Sequence, residues 1–330
     1  MPRTLQPLTV LLVLGLLAGF FAHSQYIPGT ALVSLAATPS SPSPGETVTI
    51  EAFTPTVDKA VATYIWTVNG RFQENLSGVG KTALTLTAGE VGSTIAVGVI
   101  VEQGGAEVGS ASLSIPVSNL AITWSANTLL PRWYKGKALP APGSTVTVAA
   151  TPAIVLAGAA IKPEALIYRW SIGDQRNVLS GVGERVLQFR MSNFPKTTHQ
   201  IKLVVEDARG QIRKEGQTLI TTRDPRVALY RASPLGGIDP RSSLAAEYYT
   251  RDQILDIVAE PFFYPVASKK ALSYKWSTGG VDVEGAPQNP DVLTLDLSRQ
   301  TTGSISVSVT VDDANILIPP IIKTLSLIFQ

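Results

Sequence analysis

The sequence predicts an all-β chain of three tandem β-sandwich modules behind an N-terminal hydrophobic helix. Three observations predict it. The tripeptide Tyr-x-Trp occurs as Tyr64-Ile65-Trp66, Tyr168-Arg169-Trp170 and Tyr274-Lys275-Trp276, with Trp-to-Trp spacings of 104 and 106 residues. Thirty-five residues after each Trp an alternating apolar run ends in Val-acid, at Val101-Glu102, Val205-Glu206 and Val311-Asp312. Between these landmarks Val, Ile, Thr and Ser dominate, and 27 Gly and 23 Pro are spread along the chain. That composition suits many short strands joined by turns, and self-similarity at a fixed spacing marks a repeated unit.

Each unit reads in the same order. The first strand signal upstream of the Trp is Val48, Ile50 and Ala52 in unit one, Val146, Val148 and Ala150 in unit two, and Leu255, Ile257 and Ala259 in unit three. A Pro follows each closely, at Pro55, Pro152 and Pro261. The Tyr-x-Trp strand comes next. Some 17 or 18 residues beyond each Trp lies an apolar pair, Leu84 and Leu86, Leu187 and Phe189, Leu293 and Leu295. The long run closes the pattern: Ile95, Val97, Val99 and Val101, then Ile201, Leu203 and Val205, then Ile305, Val307, Val309 and Val311. Period two means a half-buried strand. Units two and three share an opening segment, Ile122-Thr123-Trp124 to Leu139 and Ala228-Leu229-Tyr230 to Leu244. Unit one lacks it on this reading and starts from a Ser/Pro-rich stretch, Thr38 to Gly45, that reads as a linker. The expected boundaries are residues 1–24 for a signal peptide or membrane anchor, 25–44 for the linker, and 45–118, 119–224 and 225–330 for the three modules.

A Trp on a central strand is the natural filling between two sheets, and the Tyr two positions earlier shares its face. Tyr64, Trp66, Tyr168, Trp170, Tyr274 and Trp276 are therefore expected core markers. The pattern of Tyr-x-Trp, a Gly-containing turn and a long strand ending in Val-acid resembles the polycystic-kidney-disease (PKD) type of immunoglobulin-like domain. The turns read Thr67-Val68-Asn69-Gly70, Ser171-Ile172-Gly173-Asp174 and Ser277-Thr278-Gly279-Gly280. Only Asp174 keeps the acid usual in that family, so the units look like divergent members. The opening segments, with Tyr230 before Pro234-Leu235-Gly236-Gly237, look like those of repeated PKD-like bacterial surface proteins. The resemblance implies a spacer, an adhesion module or an appendage to an enzyme.

Arg3 precedes an apolar run from Leu8 to Ala22 that contains no charge. As a helix it spans about 22 Å, short of a bilayer core of about 30 Å and the length of a signal-peptide core. Ala22-His23-Ser24 places small residues for cleavage before Gln25; an uncleaved anchor is the rival reading. Both export the rest of the chain, to the cell surface, the periplasm or a membrane-anchored extracytoplasmic position.

The chemistry-bearing residues are sparse. There is no Cys, which excludes disulfides, thiolate metal sites and a Cys nucleophile. The two His are His23, in the leader, and His199, at a strand start. One His builds no zinc site, and no Gly-x-Ser-x-Gly motif supplies a nucleophile for it. Gly78-Val79-Gly80-Lys81-Thr82 lacks the spacing of a phosphate loop and reads as a turn. Glu206-Asp207 and Asp312-Asp313 are acid pairs at strand ends; calcium needs six to eight oxygens, and the sequence leaves binding there open. No enzyme activity and no cofactor are expected.

Charge is distributed unevenly. Residues 30–118 carry three Lys/Arg and seven Asp/Glu, a net of −4; residues 119–222 carry thirteen and six, +7; residues 223–330 carry ten and twelve, −2. Arg132, Lys135 and Lys137 cluster with Trp133 and Tyr134, and Arg209, Arg213 and Lys214 form a second cluster on a predicted turn. Three readings stand: attraction to an anionic polymer or membrane surface, complementarity between the modules, or a solvated face. The overall charge of +2 suggests no nucleic-acid partner. The sequence thus points to an exported structural or interaction protein, with adhesion to polysaccharide or protein, or a subunit of a pilus or secretion machine, as alternatives. Its partners are an unidentified protein or cell-wall polysaccharide, and the membrane if the N-terminal segment stays on.

Overall fold

The computed structural model describes residues 32–156, 158–233, 236–283, 289–299, 302–313 and 318–329. The apolar N-terminal run, its cleavage site and any anchor lie outside the described residues. Among those residues no helix is long and apolar enough to cross a membrane.

The first module holds strands β1 (Ser34–Thr38), β2 (Thr47–Phe53), β3 (Thr63–Val68), β4 (Arg71–Phe72), β5 (Gly78–Val79), β6 (Ala83–Thr87), β7 (Thr94–Gln103) and β8 (Ala106–Pro116). One sheet runs β1-β2-β6; the facing sheet runs β4-β3-β7-β8, with β5 also on β3. The second module holds β9 (Asn119–Asn127), β10 (Thr145–Ala153), the small hairpin β11 (Val155–Leu156) and β12 (Ala159–Ala160), β13 (Ile167–Ile172), β14 (Gln175–Val182), β15 (Val186–Arg190), β16 (Thr198–Glu206) and β17 (Arg213–Thr221). Its sheets run β15-β10-β9 and β14-β13-β16-β17. The third holds β18 (Arg226–Ser233), β19 (Gly237–Ile238), β20 (Glu247–Thr250), β21 (Ile254–Phe262), β22 (Ser273–Thr278), β23 (Val281–Val283), β24 (Val292–Asp296), β25 (Gly303–Asp312) and β26 (Ile321–Phe329). Its sheets run β19-β18-β21-β24 and β20-β26-β25-β22-β23, with β20 parallel to β26 and the remaining pairs antiparallel. Each module is thus a two-sheet immunoglobulin-like sandwich.

The opening strand is where the sequence reading fails. Residues 34–38 are not linker. They pair with β2 from Ser34 opposite Phe53 to Thr38 opposite Thr49, so unit one has the opening strand that units two and three have. The segment after it is held too: Ser118 N–H donates to the Pro42 carbonyl, and Ser41 Oγ is hydrogen-bonded to Ser118 Oγ.

The period-two runs do what they predict. Val48 and Ile50 face Trp66 across one core; Val146 and Val148 face Trp170 across the next; Leu255 and Ile257 face Trp276 across the third. All three Trp are buried, as are Tyr64 and Tyr168, whereas Tyr274 is half-buried. Each indole N–H has the same partner, the carbonyl at the approach to the next strand of the opposite sheet: Lys81 at 2.8 Å, Glu184 at 2.8 Å and Pro290 at 3.0 Å. A buried Trp needs such an acceptor. The repeat therefore carries a hydrogen bond between the sheets as well as a bulky ring. The turn at Asn69-Gly70 has both residues at positive φ, 49° and 74°, as a two-residue hairpin requires.

Candidate functional site

Strand periodicity decides where the basic residues of module 2 go. On β17 neighbouring side chains point to opposite faces. Arg213, Glu215 and Gln217 face outward. Lys214 points the other way and is only 6% exposed. Its ammonium donates to the Ser41 carbonyl at 2.6 Å and Ser43 Oγ at 2.9 Å, with Glu46 Oε2 at 3.8 Å. Burial lowers its pKa, and Glu46 partly offsets this. Lys214 is therefore a clamp on module 1, which corrects its place in a surface patch. The β11–β12 hairpin adds to the joint, with Val155 against the backbone of Gly92.

Arg132, Lys135 and Lys137 lie at the other end of module 2. Leu129 N–H donates to the Tyr264 carbonyl at 2.7 Å, and Phe263 N–H donates to the Leu129 carbonyl at 2.8 Å. Trp133 meets the rings of Tyr230 and Phe262 edge-on at 5.1 and 5.9 Å; Tyr134 meets Phe262 and Phe263 at 5.7 and 6.0 Å. Arg226 covers Phe262, 4.8 Å from its centroid. Phe263 holds a φ of 63°, strained for an aromatic residue and fixed by these contacts. The aromatic pair beside the basic residues is thus a joint with module 3. Arg132 and Lys135 remain exposed at its rim, and Lys137 Nζ sits 3.2 Å from the Trp124 ring centroid. The first cluster flanks the joint with module 3 and the second lies beside module 1, so they form no single patch.

Arg209 stays exposed on the turn between β16 and β17. That turn is organised by Asp207, whose Oδ1 accepts from Ile212 N–H at 2.7 Å and whose Oδ2 accepts from Arg209 N–H at 3.0 Å. These backbone donors outweigh burial and lower the Asp207 pKa. Glu206 is held between Arg169 and Arg213, chiefly by the Arg169 hydrogen bond, and its pKa is lowered as well. Glu206 is thus paired with two guanidinium groups and Asp207 with two backbone N–H groups. Among the described residues no three acidic or His side chains converge as a metal site.

The outer face of β14-β13-β16-β17 is what sequence reading missed. Arg169 and Ser171 on β13, Lys202 on β16, and Arg213, Glu215 and Gln217 on β17 line a polar groove of about 830 Å³, walled by Asp174, Arg176 and Asn177 of the β13–β14 hairpin. Arg213 extends the ion-pair chain to Glu215, at 2.7 Å. A smaller hollow of about 410 Å³ shares Arg213 and Glu215 and continues onto Ser40, Ser41 and Ser43 of module 1. The alternation of β13, β16 and β17 was readable; the faces joining in one groove needed the register.

Module 3 contains a second polar concentration. Glu260 is 2% exposed, and its Oε1 accepts from Lys269, which also reaches Asp291 at 3.2 Å. Glu260 Oε2, Tyr264 OH and Tyr274 OH are buried without a hydrogen-bond partner among the described residues. Burial raises the Glu260 pKa against the pull of Lys269, and raises both Tyr pKa values, helped by nearby carboxylates.

No family model and no curated protein matches the chain. Solved structures do. The central fibronectin-III array of RIM-binding protein aligns with 11% identity over 91% of this chain and 97% of its own, at a TM-score of 0.32. The three N-terminal domains of the bacteriophage RB49 highly immunogenic outer capsid protein align with 12% identity over 91% and 99%, at 0.26. Fibronectin(III)-like modules of Clostridium thermocellum CbhA align with 11% identity over 58% and 94%, at 0.27. These are arrays of immunoglobulin- or fibronectin-like domains. The assignment of this chain as a tandem immunoglobulin-like array rests on its own sheet order.

Proposed function

We propose that the chain is a non-catalytic extracytoplasmic interaction protein whose three modules form one end-to-end arm. The observation that carries this reading is the pair of joints. Lys214 closes one end of module 2 onto module 1, and the Trp133–Phe263 aromatic cluster closes the other end onto module 3. Buried directional contacts at both ends oppose the free swivelling expected of domains joined by a bare linker. The uncharged apolar run at residues 8–22 supports placing the arm outside the membrane. The divergent PKD type is the finer assignment we attach to the modules, on the strength of Tyr-x-Trp and Val-acid. The partner is a protein or cell-wall polysaccharide.

Small-angle scattering on residues 25–330 tests the arm. Three strand lengths of roughly 33 Å in line give a rod of about 100 Å and a radius of gyration near 30 Å. A compact fold of this size would give about 20 Å. The smaller value would overturn the reading.

A further inference from the structure

We propose that the outer groove of module 2 binds a linear acidic polysaccharide, one whose sugar hydroxyls are interspersed with carboxylates. This rests on reading the chain as an interaction protein and names its ligand class.

The internal repeat provides the comparison. In the cross-strand row just past each Trp, module 1 places Thr67, Gly98 and Ser112, and module 3 places Ser277, Ser308 and Thr324. The same row in module 2 is Ser171, Lys202 and Gln217. In that row two copies present only small residues, while module 2 adds a long donor and a long amide. The side wall also sets module 2 apart from module 1. Strand β14 runs for eight residues along β13, with a register shift between Trp170 and Ile172. In module 1 the same edge is broken into β4 and β5. Bulges of this kind re-aim side chains beside sites. The result is a groove in the volume range of ligand clefts, about 300–1,000 Å³.

Its chemistry is mixed. Arg169 and Arg213 are engaged by Glu206 and Glu215, and they stiffen the floor. Arg176 and Lys202 are exposed, and among the described residues neither has an ion-pair partner. Asp174 and Glu215 accept hydrogen bonds from hydroxyls, and Asn177 and Gln217 both donate and accept. Two free cations among four such groups fit carboxylates spaced along a hydroxyl-rich chain. A dense polyanion would meet Asp174 and Glu215 as repulsion.

The test is affinity electrophoresis of the full chain in a mild non-ionic detergent, in gels containing polygalacturonate, a neutral β-glucan or polyphosphate. The expected result is retardation by polygalacturonate, at least tenfold weaker after Arg176→Glu with Lys202→Glu and unchanged after Lys135→Glu with Lys137→Glu. An unaltered thermal midpoint shows that the groove variant is folded. Equal retardation by the neutral glucan, stronger retardation by polyphosphate, or equal loss in both double variants would overturn the proposal. An extended chain retarded by none of the polymers sinks the groove and leaves the arm. A compact chain with groove-dependent retardation sinks the arm and supports the groove.

Discussion

Glu260 shows how one residue can work against its own module. Its neighbours on β21 are apolar, one carboxylate oxygen reaches Lys269, and the other has no hydrogen-bond partner among the described residues. Burial dominates, so the folded pKa lies above the ordinary value of 4.5. The folded state then holds the proton to a higher pH than the unfolded chain. Stability falls as pH rises from about 4.5 through the raised folded value, because the native state binds more protons in that window. Glu260→Gln keeps the shape and removes the titration. Lys269, one-third exposed, keeps Asp291. Urea midpoints at about pH 4 and about pH 7 should therefore differ less in the variant than in the parent. An identical pH slope would show that Glu260 does not supply it. Nothing in the sequence marked this residue: Phe53 and Thr151, at the matching register of the other modules, are exposed, and the burial of Glu260 comes from tertiary packing.

At the scale of elements, the Trp-bearing strands tie the two sheets of each module together. Trp170 on β13 donates across the core to Glu184, beside β15. Trp170→Phe keeps an aromatic ring but leaves that carbonyl unpaired, at a cost of about 1–3 kcal/mol before the lost ring volume is counted. Hydrogen exchange should quicken at least several-fold in β13 and β16 and stay unchanged in modules 1 and 3; unchanged exchange in β16 would mean that the bond adds nothing. These strands were legible because a buried strand repeats its apolar residues every second position, and Tyr64, Trp66, Val97 and Val99 keep that period. Strand β1 was not. Ser34-Leu35-Ala36-Ala37-Thr38 is short and half-exposed on an edge, with small residues that carry little β preference, so only its pairing with β2 reveals it. The same limit hid the approach of β17 to β9, where Gly216 lies so close to Leu120 and Ile122 that an added Cβ would sit 2.8 Å from Ile122 Cδ1.

For the whole molecule, the sequence showed a positive module between two negative ones and could not say whether the charge faced inward or outward. The structure divides it residue by residue. Arg213 belongs to the groove and its neighbour Lys214 to the joint, a split that follows from strand alternation once both are known to lie on β17. The joint is then the part of the arm most exposed to a single change. Lys214→Ala removes two charge-assisted hydrogen bonds to residues 41 and 43, each worth about 1.5–3 kcal/mol. It touches neither module's Trp core, so the loss should fall on the segment between β1 and β2 and leave the cores intact. Cleavage of residues 39–46 by a protease at low concentration tracks the population of the opened segment. The lower free energy of even one such bond makes cleavage faster by at least about tenfold. Lys135→Ala, at the far joint's exposed rim, serves as the control and should not alter it. Equal cleavage of parent and Lys214→Ala would mean that the Ser41–Ser118 contact holds the segment, and Gly92 against Val155 the joint, without the clamp. The stiffness of the arm would then be a property of packing, with no need of the buried charge.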